Sequence, residues 1–284
     1  MKVSVSLVTY QHAQTARQAI DSVLMQETDF DVEVLIGDDA SQDGTQEILK
    51  SYHSQPQPHR VRIFLRQQNA GDAGLSNVVA TLDAAQGEYI AFLDGDDYWT
   101  DPQKLQQQAD FLDAHPDCSL CTHRVQHLHN TSRSILSPNA PQGAGCYDVG
   151  ALILRNFSPK ISTMLRRSAL EDLPSWYRST QVASADWLLN VLVGRHGQIG
   201  FLDQVMAVHR IHSASVMANH GAVRMLSDKL AAIPLLQDSL PEKRQELLQL
   251  RSQLLWKRRA AQWTPRVFQV LKRLNDIARP QPRT

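Results

Sequence analysis

Short apolar strands alternate with amphipathic helices over roughly the first hundred residues, and this alternation limits the chain to few folds. β-Branched and aromatic residues predict strands at 3–8, 32–36, 61–65 and 89–93. Between them, apolar residues recur with helical spacing at 16–24, 44–52 and 75–85. Parallel strands need crossover connections of this kind, so the order predicts β–α–β units. The predicted fold class is α/β, with a mainly parallel, Rossmann-like sheet flanked by helices.

Acidic residues follow two of these strands directly. Asp38 and Asp39 come after the second strand, and Asp94, Asp96 and Asp97 come after the fourth. Ligands of parallel α/β sheets bind beyond the carboxyl ends of the strands, so these carboxylates are expected at one edge of the sheet. Carboxylate oxygens suit Mg²⁺ or Mn²⁺, which usually share their coordination with substrate phosphates. Turn formation and helix capping would explain either acidic group alone, but explain two groups at matching strand ends poorly.

Four segments follow one another in the order found in glycosyltransferase family 2, which the chain resembles over roughly residues 1–215. The segments are VSVSLVTY at 3–10, VLIGDDASQDGT at 34–45, Asn69-Ala-Gly71 with Asn77, and GEYIAFLDGDDYW at 87–99. The resemblance implies a GT-A fold and an inverting transfer from a sugar nucleotide, UDP-linked by family precedent, to a hydroxyl acceptor. It also implies a setting in bacterial polysaccharide or lipid-linked glycan synthesis, with a glycan or a lipid-linked glycan as the acceptor.

The resemblance implies roles for individual positions. Asp39 would contact the nucleobase, and Asp94 and Asp96 would form a D-x-D motif, with Asp96 as the direct metal ligand and Asp94 near the ribose and metal. Asp97 would shape the loop. The expected nucleotide-sugar-binding residues are Val8, Thr9, Tyr10, Asp39, Asn69, Asp94 and Gly95. The expected ligands of Mn²⁺ or Mg²⁺ are Asp94, Asp96 and His212. Ser76 departs from the family, because many relatives have Arg there, and no pyrophosphate contact is implied at this position.

An inverting transfer needs a general base, and Asp186 is the expected one. It stands in the tetrapeptide Ser184-Ala-Asp-Trp187, and in the family the base is an acid that begins a helix before aromatic residues. Without the resemblance, an acid in the first turn of a helix would only stabilise the helix dipole. His212 ends the tripeptide RIH, which resembles a family motif whose histidine reaches the metal or the diphosphate. Residues 161–166 resemble the acceptor-side strand.

Two other functions are compatible with the strand-end acids. A nucleotidyltransferase would also use carboxylates and a metal, but residues 9–15 lack the Gly, Lys and Arg typical of a triphosphate loop. A non-catalytic adaptor with a basic tail would have no reason to keep Asp94, Asp96 and Asp186 together. Release of a nucleoside diphosphate from a sugar nucleotide would distinguish the three functions.

The formal net charge of zero is a balance between two parts of the chain. Residues 243–284 carry a net charge of +9, and the other residues carry −9. Apolar residues, including Trp256 and Trp263, lie among the basic ones, and a basic amphipathic helix can lie on an anionic membrane. Packing on the acidic body is the alternative, and a combination of the two is favoured. No nucleic-acid partner is expected, because no recognition motif accompanies the charge.

These patterns predict a GT-A domain at 1–220, with a nucleotide-binding half at 1–100 and an acceptor-side half at 101–220, and a basic helical region at 221–284. Three cysteines fit a reducing compartment, and Cys118 and Cys121 are expected to be structural thiols on opposite faces of a strand. Apolar runs are too short for a membrane span or a signal peptide. We therefore expect a cytoplasmic protein, peripheral at the inner face of the cell membrane if the tail binds lipid.

Overall fold

Four parallel strands form the first half of the central sheet in the computed structural model. The structure describes residues 1–53, 56–129, 132–136, 139–179, 182, 184–211 and 216–263. The four strands, in the spatial order β3-β2-β1-β4, are β1 (Val3–Thr9), β2 (Val32–Asp38), β3 (Arg60–Leu65) and β4 (Tyr89–Asp94). Thr9 lies opposite Asp38 and Val8 lies opposite Asp94, so the strands end at one edge.

Three helices connect these strands and cover the sheet. They are α1 (Ala16–Leu24), α2 (Thr45–His53) and α3 (Leu75–Ala84). Every residue of β1 and β2 is buried, as is typical of parallel strands with helices on both faces. α1 buries Ala16, Ala19, Ile20 and Val23, which recur at helical spacing on its sheet-facing side. The predicted α/β class with a mostly parallel sheet is confirmed.

A short antiparallel strand joins the two halves of the sheet. β9 (Met164–Arg166) lies between β4 and β6 (Cys118–His129) and runs antiparallel to both. Beyond β6 come β10 (Gln198–Ile211), parallel to β6, and β5 (Tyr98–Trp99), antiparallel to β10. The helices of this half are α4 (Lys104–Ala114), α5 (Val149–Leu154) and α6 (Ala185–Val193).

The structure differs from the sequence-based elements in the second half. Residues 130–148 were expected to form a long loop, but two strands lie there, β7 (Ser132–Leu136) against β6 and β8 (Gly145–Tyr147) against β10. Residues 199–202 and 205–208 were expected to be two strands. They belong to the single strand β10, whose register against β6 shifts twice between Leu202 and Ala207. Such bulges interrupt the pairing without ending the strand.

The cysteines are closer together than their spacing suggested. Cys118 and Cys121 belong to the same buried core cluster, because the register of β6 shifts between Cys118 and Leu120 and turns both thiols to one face. The expectation of opposite faces was therefore wrong. Cys146 of β8 places its Sγ 3.2 Å from that of Cys118. All three are free thiols, and burial raises the pKa of Cys121 to about 12.

The chain divides into two compact units: Met1–Gln181 with Ala185–Ser213, and Val182–Ser184 with Ala214–Thr284. In the second unit, α7 (Val216–Ser239) packs against α8 (Arg244–Trp263). Buried leucines of α8 recur at helical spacing at Leu247, Leu250 and Leu254. Pro234 lies inside α7, and the helix continues past it to Ser239. Within the described part of the chain, no helix combines the length and the apolarity needed to cross a membrane.

Candidate functional site

The loop after β2 is fixed by a buried carboxylate. Asp38 is fully buried and accepts hydrogen bonds from Thr9 Oγ1 (2.8 Å), Ser41 N (2.9 Å), Ser41 Oγ (2.6 Å) and Gln46 Nε2 (2.9 Å). Four donors around one carboxylate satisfy its acceptor capacity. Asp38 therefore stabilises the loop and has no acceptor capacity left for a ligand.

Asp39 lies beside the ends of β1 and β3. Its amide donates to Thr9 O (3.0 Å), and its carboxylate accepts from Asn69 Nδ2 (2.9 Å) and Ala70 N (3.1 Å). Arg66 Nε lies 3.9 Å from Asp39 Oδ1. The structure thus brings Asp39, Asn69 and Thr9 together, three of the residues expected to bind the nucleotide sugar. Val8 is buried in this corner, whereas Tyr10 is 46% exposed.

The loop after β4 is pressed against the end of β1. Gly95 N donates to Val8 O at 2.8 Å. A Cβ at Gly95 would lie 2.6 Å from Thr9 Cγ2 and 2.7 Å from His12 Nδ1, so a side chain would force the strands apart. Asp96 Oδ2 lies 3.9 Å from His12 Nε2. The residues expected to bind the nucleotide and the D-x-D loop therefore both contact the end of β1. His12 also lies at this position, although it was not identified from the sequence.

Asp97 holds the D-x-D loop to the end of β10. It is fully buried and accepts from His209 Nδ1 (2.9 Å) and Arg210 N (2.8 Å), while Arg210 Nη1 donates to Asp96 O (2.6 Å). Burial raises the pKa of Asp97 to about 6. Burial lowers the pKa of His209, but the neighbouring carboxylates outweigh it and raise that pKa to about 9. Both groups are therefore charged at neutral pH, consistent with the expected loop-shaping role of Asp97.

Lys160 enters the site from the second half of the sheet. Its Nζ lies 2.5 Å from Asp94 Oδ1. The acceptor-side segment expected from the sequence begins at residue 161 and does not include this lysine. No local pattern marks it, because its partner is 66 positions away in the sequence.

Buried hydrogen bonds fix the segment that carries Lys160. Trp99 Nε1 donates to Ile161 O (3.0 Å), and Gln108 Nε2 donates to Ser162 O (2.8 Å). Asn190 Nδ2 of α6 donates to Ser158 O (3.1 Å). These contacts join α4, α6 and the short strand β5 to the edge at which β4 ends.

Asp186 lies in the first turn of α6, one turn before Asn190 and on the same helix face. It is partly buried, and no hydrogen bond or ion pair to another described residue occupies its carboxylate. The helix face that bears Asp186 is thus the one anchored to the Lys160 segment through Asn190. His212, the remaining predicted metal ligand, lies outside the described residues.

The side chains at this edge suit a divalent ion that binds together with a phosphate ligand. Asp94 and Asp96 are partly exposed, with side chains 32% and 17% accessible. Among the described residues, no cluster of three or more His, Cys, Asp or Glu side chains could hold a metal on its own. Mg²⁺ and similar ions often use only one or two carboxylates and complete their shell with water and substrate phosphates. The two aspartates fit that kind of ion.

The comparisons with known proteins agree on one family. A model of the family described as Glycosyl transferase family 2 matches residues 4–173. The uncharacterized protein Mb1547 of Mycobacterium bovis is 36% identical over 215 residues, which are 75% of this chain and 60% of that protein. The chain therefore spans less than two thirds of this relative's length.

Two solved structures resemble the fold. Staphylococcus aureus TarS, residues 1–349 in complex with UDP-GlcNAc, superposes with a TM-score of 0.70 at 19% identity, covering 90% of this chain and 72% of that one. By sequence, TarS, a poly(ribitol-phosphate) β-N-acetylglucosaminyltransferase, is 30% identical over 146 residues, 50% of this chain and 24% of TarS. The mannosyltransferase PcManGT of Pyrobaculum calidifontis, with GDP-Man and Mn²⁺, superposes with a TM-score of 0.61 at 16% identity, covering 99% and 81%.

Proposed function

Since the chain belongs to glycosyl transferase family 2 and has the GT-A fold, we propose that it is a metal-dependent inverting glycosyltransferase that uses a UDP-linked sugar. One observation carries the proposal. The Asp94-Gly-Asp96 loop is packed against the end of β1, next to the corner where Asp39 meets Asn69. The residues proposed to bind the nucleotide and the carboxylates proposed to bind the metal are thus adjacent at the edge of the sheet where ligands of parallel α/β sheets bind.

The donor would bind with its base near Asp39 and its diphosphate near Asp94 and Asp96. Val8, Thr9 and Asn69 would line the base and ribose side, with Tyr10 exposed at the entrance and Gly95 allowing close approach. TarS, solved with UDP-GlcNAc, supports a uridine nucleotide. PcManGT, solved with GDP-Man, shares the fold at lower similarity.

Mn²⁺ or Mg²⁺ would be held by Asp94 and Asp96, with His212 as the third proposed ligand. When bound, the ion would offset the negative charge that develops on the departing nucleoside diphosphate. Asp186 would accept the proton of the acceptor hydroxyl as its oxygen attacks the anomeric carbon from the face opposite the leaving group. One displacement of this kind inverts the anomeric configuration.

The acceptor would be a hydroxyl of a bacterial surface glycan or a lipid-linked glycan. The support is the relative TarS, whose name describes sugar transfer to poly(ribitol-phosphate). Because the chain covers only part of its relatives, the activity of the whole protein and its acceptor are proposals.

Attachment to an anionic membrane through residues 243–284 is the second part of the proposal. Basic residues Arg244, Arg251 and Arg259 are exposed on α8, and so are Leu248 and Trp256. Leu248 is three or four residues from Arg251 and Arg244, and Trp256 is three residues from Arg259, so each exposed apolar side chain has an arginine beside it on the helix surface. A helix with an exposed tryptophan and flanking arginines suits the surface of an anionic bilayer. Residues 264–284 of the tail lie outside the described residues.

A screen of nucleotide sugars tests the enzymatic proposal. We expect UDP-sugars with Mn²⁺ to raise the melting temperature more than GDP-sugars do, and one of them to release UDP when an acceptor glycan is present. A nucleotidyltransferase would instead release pyrophosphate from a nucleoside triphosphate. An adaptor would release neither product, and stabilisation by GDP-sugars alone would contradict the uridine assignment.

A further inference from the structure

Three cations surround the acidic loop after β4 among the described residues, and they differ in how firmly they are held. His209 is paired with Asp97, and Arg210 donates to Asp96 O and to the side chain of Gln18. Lys160 contacts Asp94. The first two cations thus hold the loop in place.

Lys160 keeps donor capacity for a ligand. An ammonium group has three N–H donors, and Asp94 is its one hydrogen-bond partner among the described residues. The side chain is 19% exposed, so it reaches the surface of the site. Its backbone is fixed by the buried bonds from Trp99 and Gln108 to the next two residues. A flexible four-carbon stem on a fixed backbone can reorient its charge without moving the fold.

Ser76 and Arg66 have partners on the Asp39 side of the site. Ser76 donates its amide to Asp72 Oδ2 at 2.9 Å, and its hydroxyl bonds to the same carboxylate. Arg66 donates to Ser76 O (3.1 Å) and lies beside Asp39 on the nucleobase side. Among the described residues, Lys160 is the cation in direct contact with Asp94, and this contact places it next to the proposed diphosphate position.

Resting on the proposed function, we propose that Lys160 is a donor-binding residue that exchanges partners. In the free enzyme its ammonium neutralises Asp94. In the complex it binds the diphosphate of the sugar nucleotide, which releases Asp94 for the divalent ion. Nucleotide and metal would then bind together. The diphosphate draws the Lys160 ammonium away from Asp94, and the divalent ion takes its place at that carboxylate. A sugar nucleotide and its diphosphate product are the ligands for which this lysine would be specific.

Calorimetric titration with UDP and with uridine, in the presence of Mn²⁺, tests the phosphate contact. A charge-assisted hydrogen bond to phosphate corresponds to about a tenfold or greater change in affinity. We expect Lys160→Met to weaken UDP binding by that factor and to leave uridine binding unchanged. Lys160→Arg should retain most of the UDP affinity, and Lys50→Met on α2 serves as the matched control. Equal losses for UDP and uridine would indicate a structural role and overturn the proposal.

Titration of the nucleotide-free protein with Mn²⁺ tests the exchange. Removing the ammonium leaves Asp94 unneutralised, so Lys160→Met should bind Mn²⁺ more tightly than the wild type does without nucleotide. An unchanged Mn²⁺ affinity would overturn the exchange. Failure of the wild-type protein to bind UDP would overturn the proposed function and this inference together, whereas UDP binding that does not depend on Lys160 would overturn this inference alone.

Discussion

Asp38 and Asp39 are neighbours in the sequence, but their carboxylates meet different partners. Asp38 accepts four hydrogen bonds from residues of its own loop and from Thr9, and it is fully buried. Asp39 accepts from Asn69 and Ala70, which belong to the loop after β3. At the scale of the residue, the hydrogen-bond donors around each carboxylate distinguish the two roles. Asp38 holds its own loop, and Asp39 is the acid proposed to bind ligand.

Replacing the proposed base is the direct test at this scale. We expect Asp186→Asn to reduce transfer by at least about a hundredfold, the usual contribution of a general base. UDP binding should change little, because Asp186 makes no hydrogen bond or ion pair with the described residues around the donor corner. Sugar transfer and calorimetric UDP binding measure the two effects. Asp110→Asn, at an exposed site on α4, is the control, and near-normal turnover of Asp186→Asn would disprove the base role.

Lys104 makes the stability of the fold depend on pH. Its amino group is fully buried, lies 3.9 Å from the centroid of the Trp99 ring and donates to Gln108 Oε1 (2.7 Å). Burial lowers its pKa from 10.5 to about 7. Between these values the unfolded chain binds more protons than the folded chain, so stability should rise with pH. The slope should approach about 1.4 kcal/mol per pH unit.

Urea denaturation of wild type and Lys104→Met at several pH values checks this dependence. The methionine variant lacks the titrating group, so its stability relative to the wild type should be greatest at neutral pH and should decline toward pH 10. A difference that does not vary with pH would show that the amino group keeps its ordinary pKa in the fold.

At the scale of elements, the predictable part of the site is the part made by neighbouring strands. β1, β2 and β4 each carry their polar residues at their own ends, so strand prediction alone placed Asp39 and Asp94 at one edge. The second half could not be predicted in this way. Lys160 and His209 reach the site because β9 pairs with β4 and β5 pairs with β10, and these pairings join residues far apart in sequence. β7 and β8 lie in a Ser-, Pro- and Gly-rich stretch, and their positions depend on their partners.

Asn190 links α6 to the Lys160 segment, and its replacement tests how firmly the two are joined. Its amide donates to Ser158 O, Ser158 Oγ and Thr163 Oγ1. Asn190→Ala would leave buried acceptors unsatisfied, at a cost of about 1–3 kcal/mol. Chemical denaturation should show that loss, and Gln198→Ala, at an exposed position of β10, should show little. Equal stabilities of the two variants would mean that α6 is held by its apolar contacts alone.

At the scale of the whole molecule, the two compact units carry different chemistry. The unit that contains the sheet holds all the described residues of the proposed donor site. The other unit contains α7 and α8, whose shared core leaves Leu248 and Trp256 exposed beside arginines. Summed over the two units, the net charge is −8 for the unit that contains the sheet and +8 for the unit that contains α7 and α8.

Vesicle binding tests the role of α8. Each basic residue near an anionic surface contributes about 1 kcal/mol, so exchanging Arg251 and Arg259 for Gln should weaken binding to phosphatidylserine vesicles by about fivefold per residue. Leu248→Ser with Trp256→Ser should weaken it further by removing apolar insertion. Neutral phosphatidylcholine vesicles and an unchanged circular dichroism spectrum are the controls. Retention of vesicle binding by both variants would exclude α8 as the contact.

The position of β9 also imposes an order on folding. β9 lies between β4 and β6 in the sheet but is synthesised after both, so the inner edges of these two strands cannot be paired until about residue 166 has left the ribosome. Until then, the facing edges of β4 and β6 are unpaired, and unpaired strand edges are templates for association with other strands. A strand of three residues, made after both of its neighbours, thus completes the join between the two halves of the sheet.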